Sequence, residues 1–167
     1  ASRVPIEDRA RRCGHQPATV WLTGLPKSGK STIAYALERR LFEMGCSVNV
    51  IDGGNLRSGL SRDLAFSADD RRENVRRAAG VARVCNDAGL ITVGAFVSPY
   101  AEDRESARKT VGEDRFIEVH VNAPLETCVE RDADGLYAKA KTGEIPGFSG
   151  VTAPFEVPKH PDIALQT

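Results

Sequence analysis

The fold of this chain is decided by the stretch GLPKSGKS at residues 24–31, which fits the pattern G-x-x-x-x-G-K-[ST] at every fixed position. That pattern indicates a phosphate-binding loop where a strand precedes it and a helix follows it. The run TVWLT at 19–23 is β-branched and aromatic, so it predicts the first strand. Apolar residues then recur at helical spacing at 33, 37, 41 and 44, and Gly45 is expected to end that helix.

A loop in this setting binds the phosphates of a nucleoside triphosphate. Successive backbone N–H groups form a nest for anions, and the N-terminus of the following helix adds partial positive charge. We expect Lys30 to reach the β- and γ-phosphates and the Ser31 hydroxyl to bind Mg²⁺. The candidate nucleotide-binding residues of the loop are Gly24, Leu25, Pro26, Lys27, Ser28, Gly29, Lys30, Ser31 and Thr32.

Two positions inside the loop are unusual. Pro26 removes one backbone donor, and Lys27 stands where many such loops carry glycine, which adopts a positive φ at little cost. Either residue would weaken phosphate binding through the backbone. Alternatively, Lys27 adds a positive charge to the phosphates, and the sequence alone leaves both interpretations open.

The rest of the chain alternates predicted strands and helices. Strands are predicted at 47–51, 90–97 and 116–121, and helices at about 101–111 and 124–131. A further helix follows the capping pattern of Ser67 and Asp70. This order predicts an α/β, three-layer P-loop NTPase or kinase fold, with helices on both faces of a parallel sheet. We expect a leader at 1–17, one domain at 18–167, and a C-terminal lid at about 132–161, where Gly and Pro are frequent and no period is visible.

Composition excludes several other classes of protein. The 167 residues are 41% apolar and 28% charged, and 23 basic residues balance 23 acidic ones, which argues against a nucleic-acid binder. No apolar run approaches the roughly 20 residues of a membrane span, and the polar, Arg-rich start does not resemble a signal peptide. The four cysteines form no CxxC pair, and three lie in apolar stretches, which is typical of a reducing cytoplasm.

The polar residues after the second predicted strand are candidates for binding a phosphate acceptor. Asp52 follows that strand, and the carboxyl ends of parallel strands line the ligand crevice of such sheets. Arg57 and Arg71 would clamp an anionic acceptor, although a solvated helix face is an alternative for the neighbouring arginines. Phe66 suits stacking on a base, and it suits equally well an anchor of its loop.

At this point longer motifs resemble the adenylylsulfate kinase (APS kinase) family. They are WLTGL with SGKS at 21–31, DGGNLR at 52–57, RDLAFS with DRRENVRR at 62–77, FVSPY at 96–100, and the stretches 116–132 and 135–161. The resemblance covers most of residues 18–165. It implies transfer of the ATP γ-phosphate to the 3′-hydroxyl of adenosine 5′-phosphosulfate (APS), with Mg²⁺, to give PAPS. It also implies a homodimer and, as a further partner, an ATP sulfurylase domain or subunit.

The resemblance also implies roles for individual positions. Arg57, Arg71 and Asn74 match residues that bind the phosphosulfate end of APS, and Phe66 and Phe155 match two aromatics that sandwich its adenine. Ser98 matches a serine that has been described as a phosphoserine intermediate, although in-line transfer needs only positioning and charge stabilisation. Val97 and Ser98 match residues of the acceptor pocket, Lys139 matches a lid position close to the phosphates, and Arg131 matches a residue near the ATP adenine. The resemblance assigns Ser31 and Asp52 to Mg²⁺. The residues that it assigns to catalysis are Lys30, Asp52, Ser98 and Lys139.

The sequence departs from the family in two places. Gly54 stands where the family has the second Asp of Asp-Gly-Asp, a carboxylate thought to help hold Mg²⁺ or to polarise the acceptor hydroxyl. Losing a catalytic base costs about 10²–10⁴-fold, so we expect impaired activity or, alternatively, a kinase-deficient APS- or PAPS-binding regulatory domain of ATP sulfurylase. The family usually continues beyond the strand at 162–165, so the chain is also expected to be part of a longer protein.

Overall fold

The computed structural model describes residues 2–167 and has the α/β architecture predicted from the sequence. One sheet of five parallel strands has the order β2-β3-β1-β4-β5. The strands are β1 (Thr19–Thr23), β2 (Val48–Asp52), β3 (Ile91–Ala95), β4 (Phe116–Asn122) and β5 (Ile163–Gln166). The helices are α1 (Ile6–Cys13), α2 (Lys30–Glu43), α3 (Gly53–Arg57), α4 (Ala68–Asp87), α5 (Ala101–Val111), α6 (Leu125–Glu130) and α7 (Leu136–Lys141).

Helices cover both faces of the sheet because successive side chains of each strand point to opposite sides. Trp21 of β1 packs in one core with the apolar faces of α4 and α5. Leu22, the next residue, packs in a second core with Ala34 of α2 and with side chains of the other four strands. Both side chains are almost fully buried, and the three layers follow from this alternation.

The register of the sheet places the carboxyl ends of β1 and β3 next to each other. Leu22 of β1 pairs with Ala95 of β3, so the loops after both strands leave the sheet side by side. The order of the strands reverses at β1, and this is where ligands bind in open α/β sheets. The phosphate-binding loop and the segment 96–99 therefore face each other across one crevice.

Several predicted boundaries were wrong by a few residues. The strand predicted at 90–97 ends at Ala95, because the backbone turns at Ser98, which has a φ of +37°, and at Pro99. The strand predicted at 47–51 runs from Val48 to Asp52. At α4 the expected cap is confirmed, since the Ser67 hydroxyl accepts a hydrogen bond from the Asp70 N–H at 3.1 Å.

The predicted lid is more ordered than its sequence suggested. It contains α7, whose Tyr137 and Ala140 are buried in a small third core with Cys128 and Phe148. Tyr137 and Phe148 meet edge to face with ring centroids 5.0 Å apart, so Phe148 is an anchor of the lid. Glycine and proline around this short helix hide its period in the sequence.

The predicted leader contains α1, and His15 just after it accepts a hydrogen bond from the Ser47 N–H at 3.0 Å. The division of the chain at residue 17 stays a prediction. No helix within residues 2–167 combines the length and the apolar composition that crossing a membrane requires.

Candidate functional site

The loop between β1 and α2 is shaped by one close approach and by two residues in the left-handed conformation, Lys27 and Gly29. A Cβ at Gly24 would lie 2.5 Å from the Val121 carbonyl oxygen, so only glycine fits there. Lys27 has a φ of +62°, a left-handed conformation that costs a non-glycine residue roughly 1–2 kcal/mol. The first turn of α2 directs its unpaired N–H groups at the loop, as anion binding requires.

Lys30, the first residue of α2, turns its ammonium group back into the loop. Its Nζ donates hydrogen bonds to the carbonyl oxygens of Leu25 at 2.7 Å and Gly24 at 3.0 Å, and to the Ser28 hydroxyl at 3.4 Å. Only 8% of the residue is exposed. Burial lowers the pKa of Lys30 to about 8, because the charged form loses its hydration.

Two cavities meet at this loop and share the side chains of Lys27, Lys30 and Ser31. The smaller, of about 480 Å³, also contains Arg131, as expected for the nucleotide side. The larger, of about 600 Å³, lies toward β2 and β3 and contains the predicted acceptor residues. The predicted acceptor residues in its lining are Asp52, Arg57, Phe66, Arg71, Asn74, Val97 and Ser98, and Gly54 lies among them.

Asp52 ends β2 and at the same time caps α3. Its Oδ1 accepts from the Asn55 N–H at 2.8 Å, and the Asn55 side chain accepts from the Asp52 N–H at 2.9 Å. Its Oδ2 accepts from the hydroxyl of Tyr35 on α2 at 3.0 Å, which raises the pKa of Tyr35. A Cβ at Gly54 would lie 3.3 Å from Asp52 Oδ1, so a side chain there would stand beside this carboxylate.

The oxygen donors at the loop fit Mg²⁺. Ser31 offers a hydroxyl and Asp52 a carboxylate in the same cavity. Within residues 2–167 no group of three or more His, Cys, Asp or Glu side chains could hold a metal ion by themselves. Mg²⁺ is usually held by one or two carboxylates together with substrate phosphates, so a site with few protein ligands is what this ion requires.

A cationic and aromatic group forms the far side of the larger cavity. The Arg57 guanidinium carbon lies 4.3 Å from the ring centroid of Phe66, which is 56% exposed. Arg57 donates to two loop carbonyl oxygens, and Arg71 donates to the Gly147 carbonyl at 2.6 Å and the Ser149 hydroxyl at 3.2 Å. Burial lowers the pKa of both arginines. Arg71 therefore joins the acceptor cavity to the lid.

Ser98 is buried, and its hydroxyl group is already engaged. Its Oγ accepts from the indole N–H of Trp21 at 3.2 Å and donates to the Thr23 hydroxyl at 2.9 Å. Thr23 in turn donates to the Val97 carbonyl at 2.8 Å. This chain of hydrogen bonds fixes the turn after β3, so the geometry indicates a structural role for Ser98 in the acceptor pocket.

Two predicted residues lie outside these cavities. Phe155 packs against His120, with ring centroids 6.1 Å apart, while Phe66 lines the larger cavity. Lys139 is exposed on α7 and is absent from the lining of both cavities beside the loop. The structure thus does not bring Phe66 and Phe155 together, and the adenine sandwich and the role of Lys139 stay predictions.

A third cavity, of about 850 Å³, was not predicted from the sequence. It adjoins the 600 Å³ acceptor cavity through Phe66, Arg71 and Val97, and the lid residues 144–148 form its wall. Asn74 is buried at the larger cavity, and its side-chain oxygen has no hydrogen-bond partner within residues 2–167. Tyr35 and Leu136 also belong to the site, and no local pattern in the sequence distinguishes them.

Comparison with known proteins adds three findings. The family described as Adenylylsulphate kinase matches residues 16–166. The chain is 54% identical over 164 residues to a bifunctional enzyme CysN/CysC of Rhodopirellula baltica, covering 98% of this chain and 25% of that protein. It is 51% identical over 161 residues to an adenylyl-sulfate kinase of Bacteroides thetaiotaomicron, covering 96% and 80%.

A solved structure shares the fold closely. The APS kinase CysC of Mycobacterium tuberculosis, in complex with AMPPNP and APS, has a TM-score of 0.87 and 47% sequence identity. The match covers 90% of this chain and 88% of that one. The chain thus spans most of the single-function relatives and about a quarter of the bifunctional one.

Proposed function

This chain belongs to the adenylylsulphate kinase family, and we propose from its geometry how its residues transfer the γ-phosphoryl group of ATP to the 3′-hydroxyl of APS. The products are ADP and PAPS. The observation that carries the proposal is the meeting of two cavities at Lys27, Lys30 and Ser31, with Arg131 on one side and Asp52, Arg57 and Phe66 on the other.

The nucleotide occupies the smaller cavity in this proposal. Its phosphates lie on the N–H groups of the loop, and Lys30 turns from the loop carbonyls to the β- and γ-phosphate oxygens. Ser31 and Asp52 hold Mg²⁺, which when bound neutralises charge on those oxygens. The fixed N–H groups and the ammonium of Lys30 stabilise the negative charge of the transferring phosphoryl group, as preorganised donors do.

The acceptor occupies the larger cavity. Phe66, which is 56% exposed, offers its ring to the adenine of APS, and the Arg57 guanidinium lies over the same ring at 4.3 Å from its centroid. Arg57 and Arg71 provide cations for the phosphosulfate group, and the unpaired side-chain oxygen of Asn74 accepts a hydrogen bond from an O–H or N–H group of APS. Asp52 orients either the acceptor hydroxyl or the metal from the wall of the acceptor cavity.

One experiment tests this placement of the two substrates. APS is titrated calorimetrically into the protein with and without a non-hydrolysable ATP analogue. Separate cavities predict that each ligand binds with a stoichiometry of one in the presence of the other. Mutually exclusive binding would contradict the proposal, because it would place both ligands in one cavity.

We extend the proposal to the partners and the location of the protein. The family resemblance supports a homodimer and an ATP sulfurylase domain or subunit as a partner, and the bifunctional relative supports an association with a further domain. All four cysteines are free thiols, which supports a reducing, cytoplasmic location. Sedimentation of the purified chain tests the dimer, and a monomer at micromolar concentration would overturn it.

A further inference from the structure

The phosphate-binding loop is fastened directly to the start of the lid. Lys27 Nζ lies 2.5 Å from Asp134 Oδ2 and 3.8 Å from Asp132 Oδ1. The Tyr137 hydroxyl donates to the Pro26 carbonyl at 2.8 Å. Two neighbouring residues of the loop thus hold one turn of chain that is more than a hundred residues away in sequence.

The buried carboxylate of Asp132 makes Lys27 more than a surface ion-pair partner. The Asp132 side chain is only 2% exposed, and one of its oxygens accepts from the Tyr137 N–H at 2.8 Å. The other oxygen has no hydrogen-bond partner in the part of the chain that the structure describes. A buried carboxylate without a counter-charge is costly, so Lys27 supplies the cation that this oxygen requires.

Lys27 also stands where both substrates meet. Its side chain lines the nucleotide cavity and the acceptor cavity, while its ammonium is directed at the lid carboxylates. The same ion pair lowers the pKa of Asp134. A cation in this place acts either on the phosphates or on the lid, and the observed contacts are with the lid.

We propose that Lys27 is a positioning residue that latches the first turn of the lid, through Asp134 and Asp132, to the phosphate-binding loop. The proposal rests on the proposed function, because a lid that excludes water matters to a phosphoryl transferase. The latch keeps residues 144–148 on the wall of the third cavity, beside the acceptor cavity, and its loss exposes the lid to solvent and loosens the loop.

The direct test is limited trypsin digestion without substrates, followed by mass spectrometry of cuts after Lys139 and Lys141. Lys27→Gln and Asp134→Asn remove one charge each and change the shape little. Each is expected to speed these cuts about two- to fivefold, the range for a local opening held by one partly exposed ion pair. The double variant is expected to be no faster than the quicker single variant.

A matched control removes another exposed lysine ion pair, far from the loop. Lys109 pairs with Glu105 on α5 at 3.4 Å, so Lys109→Gln should leave the cuts in α7 unchanged. Asp134 is 67% exposed, which keeps the test usable if the Lys27 variant misfolds. Unchanged digestion in Asp134→Asn, or additive effects in the double variant, would overturn the latch.

Binding of a non-hydrolysable ATP analogue separates the latch from a phosphate contact. The latch predicts a loss of about two- to fivefold for Asp134→Asn and a loss at least as large for Lys27→Gln, which also leaves the buried Asp132 without its counter-charge. A loss of more than tenfold in Lys27→Gln with none in Asp134→Asn would assign Lys27 to the phosphates and overturn the proposal. Digestion needs no turnover, so failure of PAPS formation would leave this result readable and would count against the proposed function alone.

Discussion

The ammonium group of Lys30 lies 2.7 Å from the carbonyl oxygen of Leu25, inside the loop that it is expected to serve. This contact turns loop carbonyls toward the cation, and apart from the Ser28 N–H, which donates to the Leu25 carbonyl oxygen at 3.1 Å, the loop N–H groups are left for an anion. One side chain therefore shapes the loop and carries the charge that the phosphates need. The cost of burying it appears in its pKa, which falls to about 8.

Replacing Lys30 with alanine tests its proposed role. We expect Lys30→Ala to lower the turnover number by at least about 10²–10³-fold, the usual loss for one preorganised charge-stabilising donor. Binding of APS should stay nearly intact, because its proposed contacts are with Phe66 and the two arginines. Steady-state kinetics and calorimetric titration of APS measure the two effects. Equal losses of turnover and of APS binding would contradict the assignment.

The lowered pKa of Lys30 predicts how nucleotide affinity depends on pH. Phosphate binds the protonated amine, while the protein without nucleotide loses that proton above about pH 8. Affinity for an ATP analogue should therefore fall as the pH rises from 7.5 to 9.5, by up to about tenfold per unit above 8. Calorimetry in two buffers of different ionisation enthalpy should detect proton uptake on binding. A flat affinity over this range would mean that Lys30 stays charged throughout.

Restoring the carboxylate at position 54 tests whether its absence limits turnover. Gly54→Asp should raise turnover if the absence of the second carboxylate limits the rate. The new side chain would stand beside Asp52, because a Cβ at this position lies 3.3 Å from Asp52 Oδ1. Gly54→Ala is the matched control, because it adds the same Cβ without the charge. A gain in both variants would point to backbone stiffening, and no gain in Gly54→Asp would mean that another group already supplies this function.

Stacking on Phe66 is expected to contribute to the affinity for APS. An aromatic–base stack is worth about 1–3 kcal/mol, so Phe66→Ala should weaken APS binding about 5- to 150-fold. Phe42→Ala is the control, since Phe42 is 69% exposed on α2. Phe155→Ala tests the predicted sandwich, which requires Phe155 to leave His120. A loss similar to that of Phe66→Ala would support the sandwich, whereas unchanged binding would contradict it.

The hydrogen bonds of Ser98 predict a loss of stability rather than of chemistry. Ser98→Ala leaves the buried N–H of Trp21 unpaired, which costs about 1–3 kcal/mol in the free energy of unfolding. Urea denaturation measures this cost, and Ser106→Ala, an exposed position on α5, should cost much less. Turnover should stay within about tenfold of the parent, with no phosphorylated serine in mass spectra. Complete loss of turnover in a folded Ser98→Ala variant would contradict this prediction and favour a phosphoserine intermediate.

The parts of the fold that depend on local chemistry could be predicted from the sequence. The strand 19–23, the loop behind it and the cap at Ser67 depend on spacing and on the residue types themselves. The helix α7 could not be predicted, because its stability comes from packing Tyr137 against Phe148 rather than from a periodic pattern. Only six residues long, it gives no sustained apolar repeat.

The parts of the site that a sequence motif determines could be predicted. The parts that depend on contacts between residues distant in sequence could not. The sequence assigned Lys30 and Ser31 to the phosphates and Mg²⁺ and Asp52 to Mg²⁺ or the acceptor hydroxyl, and the structure lines one cavity with all three. The hydrogen bond from Tyr35 to Asp52 and the ion pair of Lys27 with Asp134 depend on tertiary contacts, so no spacing rule finds them. The sequence left open whether Lys27 weakens the loop or adds charge, and its contact with the lid offers a third interpretation.

The most direct test of the account is the rate of PAPS formation by this chain with ATP, APS and Mg²⁺, measured by chromatography of the nucleotide products. We predict turnover within the ordinary enzymatic range of about 1–10³ s⁻¹, with ADP and PAPS released in equal amounts. APS binding without PAPS formation would contradict the account, and it would favour a domain that senses the nucleotide without phosphorylating it.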